Sequence, residues 1–350
     1  MIIHKNFVGG NIEVVKAEDD RIILKNELRD TGEDWFYWAF CVEGAAGRTL
    51  KFEFNEKNRV GYYGAAVSHD LYHWNWTENG VDESFTYTFA ENENRVYFAH
   101  HMLYHPLRFF DFLQSRKMKA DTLCISEKGN EIPAFKIGNG DKHIILTARH
   151  HACESTGNYV LEGVLDSLIK NPIEGYTVFC VPFVDLDGVV NGDQGKSRMP
   201  YDHNRDYNTE KAPIYNSTAA IRKYADEHNT VLGFDFHSPW HKGGENDKVF
   251  IPQKSIEKAE RLNRFGIIFE KNNSGDADAT EYRHAFDMRA NERWNVIPTP
   301  CFASYIMGLD TADIAFTLET AYFGLDNTKF SEEGALRTGM NFANALRQYI

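Results

Sequence analysis

Ile144-Ile145-Leu146-Thr147-Ala148-Arg149-His150-His151-Ala152-Cys153-Glu154 changes character twice within a few residues. Ile144 to Thr147 is a short apolar run that reads as a buried strand. Beyond Glu154, the apolar residues Val160, Leu161, Val164, Leu165, Leu168 and Ile169 recur with helical spacing. Between the two lies a polar turn holding two histidines and a glutamate. A strand, a short turn and a helix make the repeating unit of an α/β sheet.

Working outward, the same alternation continues. Thr177 to Val181 is the next strand, stopped by Pro182, and a helix follows Pro213 with Ile214, Ile221 and Tyr224 on its inner side. Val231 to Phe236 is another strand, Ser255 caps a helix through Ile256, Ala259, Leu262 and Ile268, and Ile314 to Leu318 is a late strand before a terminal helix from Ser331. Residues 104–350 are therefore expected to form an α/β domain, with a mixed, mostly parallel sheet and helices on both faces. A short helix carrying Leu107, Phe109, Phe110, Phe112 and Leu113 opens it. Residues 1–103 differ. Trp35 to Phe40, Leu50 to Phe54 and Ser84 to Phe89 are aromatic-rich, alternate with period two and are bounded by turn formers such as Gly44, Gly47 and Asn79-Gly80. That pattern predicts a small antiparallel β-sandwich, with Trp74 and Trp76 in its core.

The 350 residues are 42% hydrophobic and 25% charged, an ordinary globular composition, and the formal net charge is -13. With no long basic run, this balance disfavours nucleic-acid binding and attraction to an anionic membrane. Nothing approaches the length of a transmembrane span. The five cysteines are scattered, without zinc-finger spacing, and Met1 to Lys5 leads into polar sequence with no apolar signal core. Free thiols in the cytoplasm are the expectation.

His151, Glu154 and His237 are metal-ligand candidates, each just past the carboxyl end of a predicted strand, where open α/β sheets place their ligand crevice. Two imidazoles and a carboxylate form a three-ligand set for one zinc ion that leaves a position open for water. Glu319, at the end of the late strand, is the further carboxylate that such water needs as proton acceptor. Asp202 and Asp235 are candidates to orient the ligand histidines; for Asp235 a purely structural acceptor role is an equal alternative. His150 should point away from its neighbour in an extended segment, and Cys153 reads as a small buried residue. His100, His101 and His105 lack acidic neighbours and read as packing at the domain junction. Trp240 and His241 follow the third ligand and are candidate pocket residues.

At these residues the chain resembles the zinc metallocarboxypeptidases, in their cytosolic carboxypeptidase-like branch. Arg149-x-His151-x-x-Glu154 resembles the family's first metal motif, Asp185-Leu186-Asp187-Gly188-Val189 its Asn-Pro-Asp-Gly-Val segment, and Asp202-His203-Asn204-Arg205 its Asp-Leu-Asn-Arg signature. His237-Ser238 matches the third ligand, and Thr317-Leu318-Glu319-Thr320 the segment carrying the base. Val96 to Ala99 before Tyr104-His105-Pro106 is similar to the end of that branch's leading sandwich. The resemblance implies that Asp202 orients His151, and that Asn204 and Arg205 grip a substrate's terminal carboxylate. It also implies an arginine nine residues before the signature asparagine, where this chain has Gly195; Lys196 and Arg198 are the candidates to supply that charge. Tyr305 is the candidate for the family's mobile tyrosine.

The expected activity is zinc-dependent removal of a C-terminal residue from a peptide or small amide with a free carboxylate, with Glu319 as general base. Gly195 keeps a second reading open, an amidohydrolase or deacylase acting on N-acyl amino acids or cell-wall peptides. A non-catalytic zinc-binding module is the third.

Overall fold

Ten short strands occupy the N-terminal part of the computed structural model, which describes residues 1–325 and 329–350. β1 (Ile2–His4), β4 (Ala39–Glu43), β6 (Ala66–Ser68), β7 (Asn75–Trp76) and β10 (Arg95–Ala99) form one sheet in the order β1-β4-β10-β6-β7. β2 (Glu13–Glu18), β3 (Arg21–Lys25), β5 (Thr49–Phe54), β8 (Gly80–Val81) and β9 (Ser84–Thr88) form the other, in the order β2-β3-β5-β9-β8. The pairing is antiparallel as expected, except that β3 and β5 run parallel. The aromatic run from Trp35 becomes a strand only at Ala39; Trp35 to Trp38 is irregular.

Alternation along β4 explains why this sheet has no free face. Phe40 and Val42 join Phe52, Phe85, Val96 and Phe98 in a core between the two sheets. Ala39, with Phe36, Tyr37 and Ala99, points the other way, into the core of the α/β part. Trp74 and Trp76 are buried, but in that second core and not between the sheets. The middle sheet is thus covered on both sides, and the apolar interior runs without a break across residue 103.

The α/β part opens with α1 (Pro106–Ser115), which buries Phe109, Phe112 and Leu113 while Leu107 and Phe110 are exposed. Its sheet contains β11 (Asp121–Ile125), β12 (Glu131–Gly138), β13 (Lys142–Ala148), β14 (Tyr176–Val181), β15 (Thr230–His237) and β16 (Ile314–Glu319), ordered β11-β12-β14-β13-β15-β16. β14, β13, β15 and β16 are parallel, and the β11–β12 hairpin joins antiparallel at one edge. The helices are α2 (Thr156–Lys170), α3 (Leu186–Asn191), α4 (Asn216–Glu227), α5 (Ala259–Asn273), α6 (Phe302–Met307) and α7 (Glu332–Tyr349). On β15, Gly233 faces Ile306 of α6, whereas its neighbour Phe234 packs on Phe265 of α5 and Phe342 of α7. Successive strand residues point to opposite faces, so helices cover both.

Strand order reverses at β13. The chain passes from β13 to β14 on one side, then crosses to β15 on the other. The crevice at such a switch opens beyond the carboxyl ends of the strands, which here are Ala148, His237 and Glu319. Among the described residues, no helix is long and apolar enough to cross a membrane, and all five cysteines are free.

Candidate active site

The turn after β13 is built to return on itself. Arg149 has φ 61°, and its guanidinium donates to the Ala152 carbonyl at 2.8 Å, closing the loop that carries His151. Glu154 follows on a turn closed by its own N–H to His151 O, 3.2 Å. α2 then begins so close to β15 that a Cβ on Gly157 would lie 2.8 Å from the Phe236 carbonyl. Only glycine permits this approach, and it sets Glu154 against His237.

Sheet register does the rest. His237 and Glu319 are paired residues on adjacent parallel strands, so their side chains emerge side by side. Hydrogen bonds tie together the residues that follow each site group: Thr156 Oγ1 lies 2.5 Å from Ser238 Oγ and donates to Thr320 O at 3.0 Å, and Thr320 N donates to His237 O at 2.9 Å.

The four groups converge. His151 Nδ1 is 2.9 Å from Glu154 Oε1, and His237 Nδ1 is 2.6 Å from Glu154 Oε2. The opposite nitrogens face carboxylates, His151 Nε2 at 3.5 Å from Asp202 Oδ1 and His237 Nε2 at 2.5 Å from Asp235 Oδ2. Carboxylates accept, so each ring donates from both nitrogens, Nε2 to Asp202 or Asp235 and Nδ1 to Glu154, and loss of the Nδ1 hydrogens frees two lone pairs beside the Glu154 carboxylate. A divalent cation taking the place of the two Nδ1 hydrogens would be held by both rings and by Glu154. One ligand atom from each of His151, Glu154 and His237 lies within 4.8 Å of the others, which fits a single divalent cation. His150, Asp235 and His237 also cluster, but Asp235 there is spent on Thr147 (2.8 Å) and His150 (2.9 Å), and His150 on Tyr207 (2.7 Å). Neither His150 nor Asp235 lines the cavity. Asp235 combines both roles expected of it, bonding His237 and the strand beside it.

The electrostatics agree. Burial depresses the proton affinity of His151 and His237, but Glu154 with Asp202 or Asp235 outweighs it and raises both pKa values. Burial opposes charge on Glu154, and His151, Lys196 and His237 outweigh that, holding its carboxyl well below the usual range. Glu319 is different. Burial, with Glu154 adding, pushes its pKa up, and Oε2 is buried without a hydrogen-bond partner among the described residues.

These groups line a cavity of about 330 Å³. Asn204 and Arg205 line it from the short turn that Asp202 caps; Asn204 Oδ1 accepts from Phe302 N at 3.2 Å, and the Arg205 guanidinium makes no hydrogen bond or ion pair among the described residues. Lys196 lines it too, its ammonium paired with Glu154 and 4.7 Å over the Trp35 ring. Gly195, φ +77°, has no room for a side chain, since a Cβ there would sit 2.1 Å from Ala152 N.

Two expected substrate residues stand elsewhere. Arg198 spends its guanidinium on Asp30 (3.0 Å), Asp185 (2.7 Å) and Asp193 (3.2 Å), bracing the loop and not reaching the cavity. Tyr305 donates its hydroxyl to Asp226 of α4 at 2.7 Å, under the Arg222 guanidinium, and is no part of the wall. Trp240 lines the cavity, whereas His241 is buried behind it.

Sequence reasoning missed Trp35, Lys254 and Trp294, all in the wall. Lys254 follows the segment Val249 to Pro252, where Phe250 pairs with Glu319 in a two-residue bridge too short to leave a periodic pattern. Its ammonium donates to Asn295 Oδ1 at 2.6 Å, and burial lowers its pKa.

Residues 3–101 match the family model of the cytosolic carboxypeptidase N-terminal domain. The chain is 29% identical over 200 residues to cytosolic carboxypeptidase 2 of Homo sapiens, a stretch spanning 47% of this chain and 22% of the human protein. In fold it is similar to a putative carboxypeptidase A from Shewanella denitrificans, with TM-score 0.80 and 21% identity over 99% of this chain and 98% of that one. It is also similar to a metallo-carboxypeptidase from Pseudomonas aeruginosa solved in complex with (2-guanidinoethylmercapto)succinic acid, with TM-score 0.77 and 19% identity over 99% of this chain and 98% of that one.

Proposed function

The chain belongs to the metallocarboxypeptidase family, in its cytosolic carboxypeptidase-like branch, and on that premise we propose that it hydrolyses the C-terminal peptide bond of peptides with one zinc ion held by His151, Glu154 and His237. The observation that carries this reading is Glu319 Oε2, an unpartnered buried carboxylate oxygen in the wall that also holds the ligand set. A structural carboxylate would be hydrogen-bonded; a proton acceptor must be free.

When bound, the ion supplies Lewis-acid polarisation of the scissile carbonyl and acidifies the attacking water. Glu319 takes that water's proton at Oε2 and delivers it to the leaving amine nitrogen. Arg205 offers an unpaired planar fork to the substrate's terminal carboxylate, and Asn204, with its oxygen occupied by Phe302 N, turns its amide hydrogens to the same group. Lys196 follows Gly195, the position where the family usually places an arginine. Its ammonium supplies a point charge for the carbonyl oxygen once Glu154 is engaged by the ion.

Lys254 directs the choice of terminal residue. A half-buried ammonium beside Arg205 favours a side chain that brings its own carboxylate, so C-terminal Asp and Glu are the preferred residues. The carboxylate-bearing compound bound by the Pseudomonas aeruginosa protein supports a carboxylate-directed cavity. Free cysteines support a reducing, cytoplasmic setting.

The test is mass spectrometry of a mixed peptide library incubated with the zinc-loaded chain. Single-residue loss from free C-termini, enriched for acidic residues and absent from C-terminally amidated peptides, is expected. Cleavage confined to N-acyl amino acids would replace the reading with a deacylase. No turnover at full zinc occupancy would leave a binding module.

A further inference from the structure

Behind the cavity, three histidines and a serine form a continuous hydrogen-bonded chain. His241 Nδ1 is 2.8 Å from His100 Nε2, His100 Nδ1 is 2.9 Å from His101 Nδ1, and His101 Nε2 is 2.9 Å from Ser155 Oγ. All four residues are buried, the most exposed at 1%. The rings are packed among Phe36, Tyr322 and Phe323 at centroid distances of 4.4 to 5.7 Å.

The proton order in this chain follows from one fact. Ser155 Oγ lies 2.9 Å from the Met102 carbonyl, which can only accept, so the serine hydrogen is committed there. Ser155 must then accept from His101, which puts the hydrogen on His101 Nε2 and leaves Nδ1 as an acceptor. His100 therefore donates from Nδ1 and accepts at Nε2, and His241 donates from Nδ1. Its Nε2 ends the chain as a bare lone pair, and that atom is buried with no hydrogen-bond partner among the described residues. Neutral rings are required throughout; burial lowers the pKa of His100, His101 (to about 3) and His241.

The ends of the chain give it a use. Ser155 directly follows Glu154, and His241 closes the loop that leaves His237 through the cavity residues Ser238, Pro239 and Trp240. The middle belongs to the segment just after β10, in the N-terminal sheet.

We propose that His100, His101 and His241 are positioning residues for the metal set: a neutral relay with one permitted proton order, through which the N-terminal sheet holds Glu154 at its distance from His237. Reversing one ring breaks the links that ring makes, and reversing all three takes the serine hydrogen from the Met102 carbonyl, so a single order keeps every bond. The inference rests on the metal reading above.

The experiment measures zinc affinity of the full chain by chelator competition, with the visible spectrum of the cobalt-substituted protein as a second readout. His100→Phe, which replaces one ring by another among aromatic neighbours, is expected to weaken zinc binding about 10–100-fold and change the cobalt spectrum. His101→Gln, which keeps an N–H towards Ser155, is expected to lose less than His101→Phe. Nitrogen-15 histidine spectra of the wild-type chain are expected to show Nδ1–H on His100 and His241 and Nε2–H on His101. A folded His100→Phe with wild-type affinity and spectrum overturns the proposal, as does any other tautomer order; the spectra of the wild-type chain decide it if the variants do not fold. A wild-type chain that binds no divalent ion overturns the metal reading instead.

Discussion

The two walls of the cavity are held by different forces. One wall, made of His151, Glu154, His237 and Glu319, stands on the carboxyl ends of β13, β15 and β16. Its geometry comes from parallel register, a glycine-tight helix start and the Thr156–Ser238–Thr320 stitch. The other wall, made of Trp35, Lys196, Lys254 and Trp294, arrives on loops from four separate stretches, with few bonds to each side chain. The difference separates chemistry from selection. Groups that must meet one ion need sheet-like precision, whereas groups that meet a variable substrate need only correct charge and reach.

If that division holds, the largest effect belongs to the strand wall. Glu319→Gln should lower turnover by about 10²–10⁴-fold with zinc uptake unchanged, since the amide fills the same space and takes no proton. Turnover near wild-type would remove Glu319 from the chemistry and break the comparison at its strongest point. Next comes the one loop residue assigned to the reaction itself. Lys196→Ala should cost about 10²–10³-fold in kcat, measured on a peptide cut well by the wild type. A rise in KM alone would return Lys196 to the selecting wall.

The strand wall was legible in the sequence because its signals are local. A buried apolar run announces each strand, and the residues just past it are the ones the crevice uses, so His151, Glu154, His237 and Glu319 could be found without knowing the sheet order. The β11–β12 hairpin escaped because Asp121–Ile125 is half exposed and mixed in character, giving no clean period. Arg198 and Tyr305 were placed by resemblance, and their neighbours decided otherwise. Three carboxylates outbid the cavity for one, and Asp226 claims the hydroxyl of the other. No single stretch records such competition. Lys254 shows the opposite failure, a cavity residue whose position depends on a short bridge to Glu319.

Lys254 also carries the next prediction. Lys254→Ala should lower kcat/KM for peptides ending in Asp or Glu by about 10–100-fold, the worth of one charge-assisted hydrogen bond, and leave neutral termini little changed. An equal loss on both classes would mean that Lys254 supports the wall through Asn295 without reading the substrate.

The smallest effect tests whether the N-terminal sandwich belongs to the loop wall. Asp30 lies outside the α/β part, yet its carboxylate accepts from Gln194 N (3.0 Å), Gly195 N (2.8 Å) and Arg198 Nε (3.0 Å), the loop that presents Lys196. Asp30→Asn keeps one acceptor oxygen but turns an NH₂ towards a donor, so the loop loses one anchor while Arg198 retains Asp185 and Asp193. A loss of about 3- to 10-fold in kcat is expected, with folding intact, because only about one hydrogen bond's net worth is removed. Its source is checked by combining it with Lys196→Ala. If Asp30 acts by holding the Lys196 loop, the double variant is no worse than Lys196→Ala alone, since there is no ammonium left to misplace. If the two losses multiply, Asp30 acts by another route, and the sandwich adds to this wall through Trp35 only.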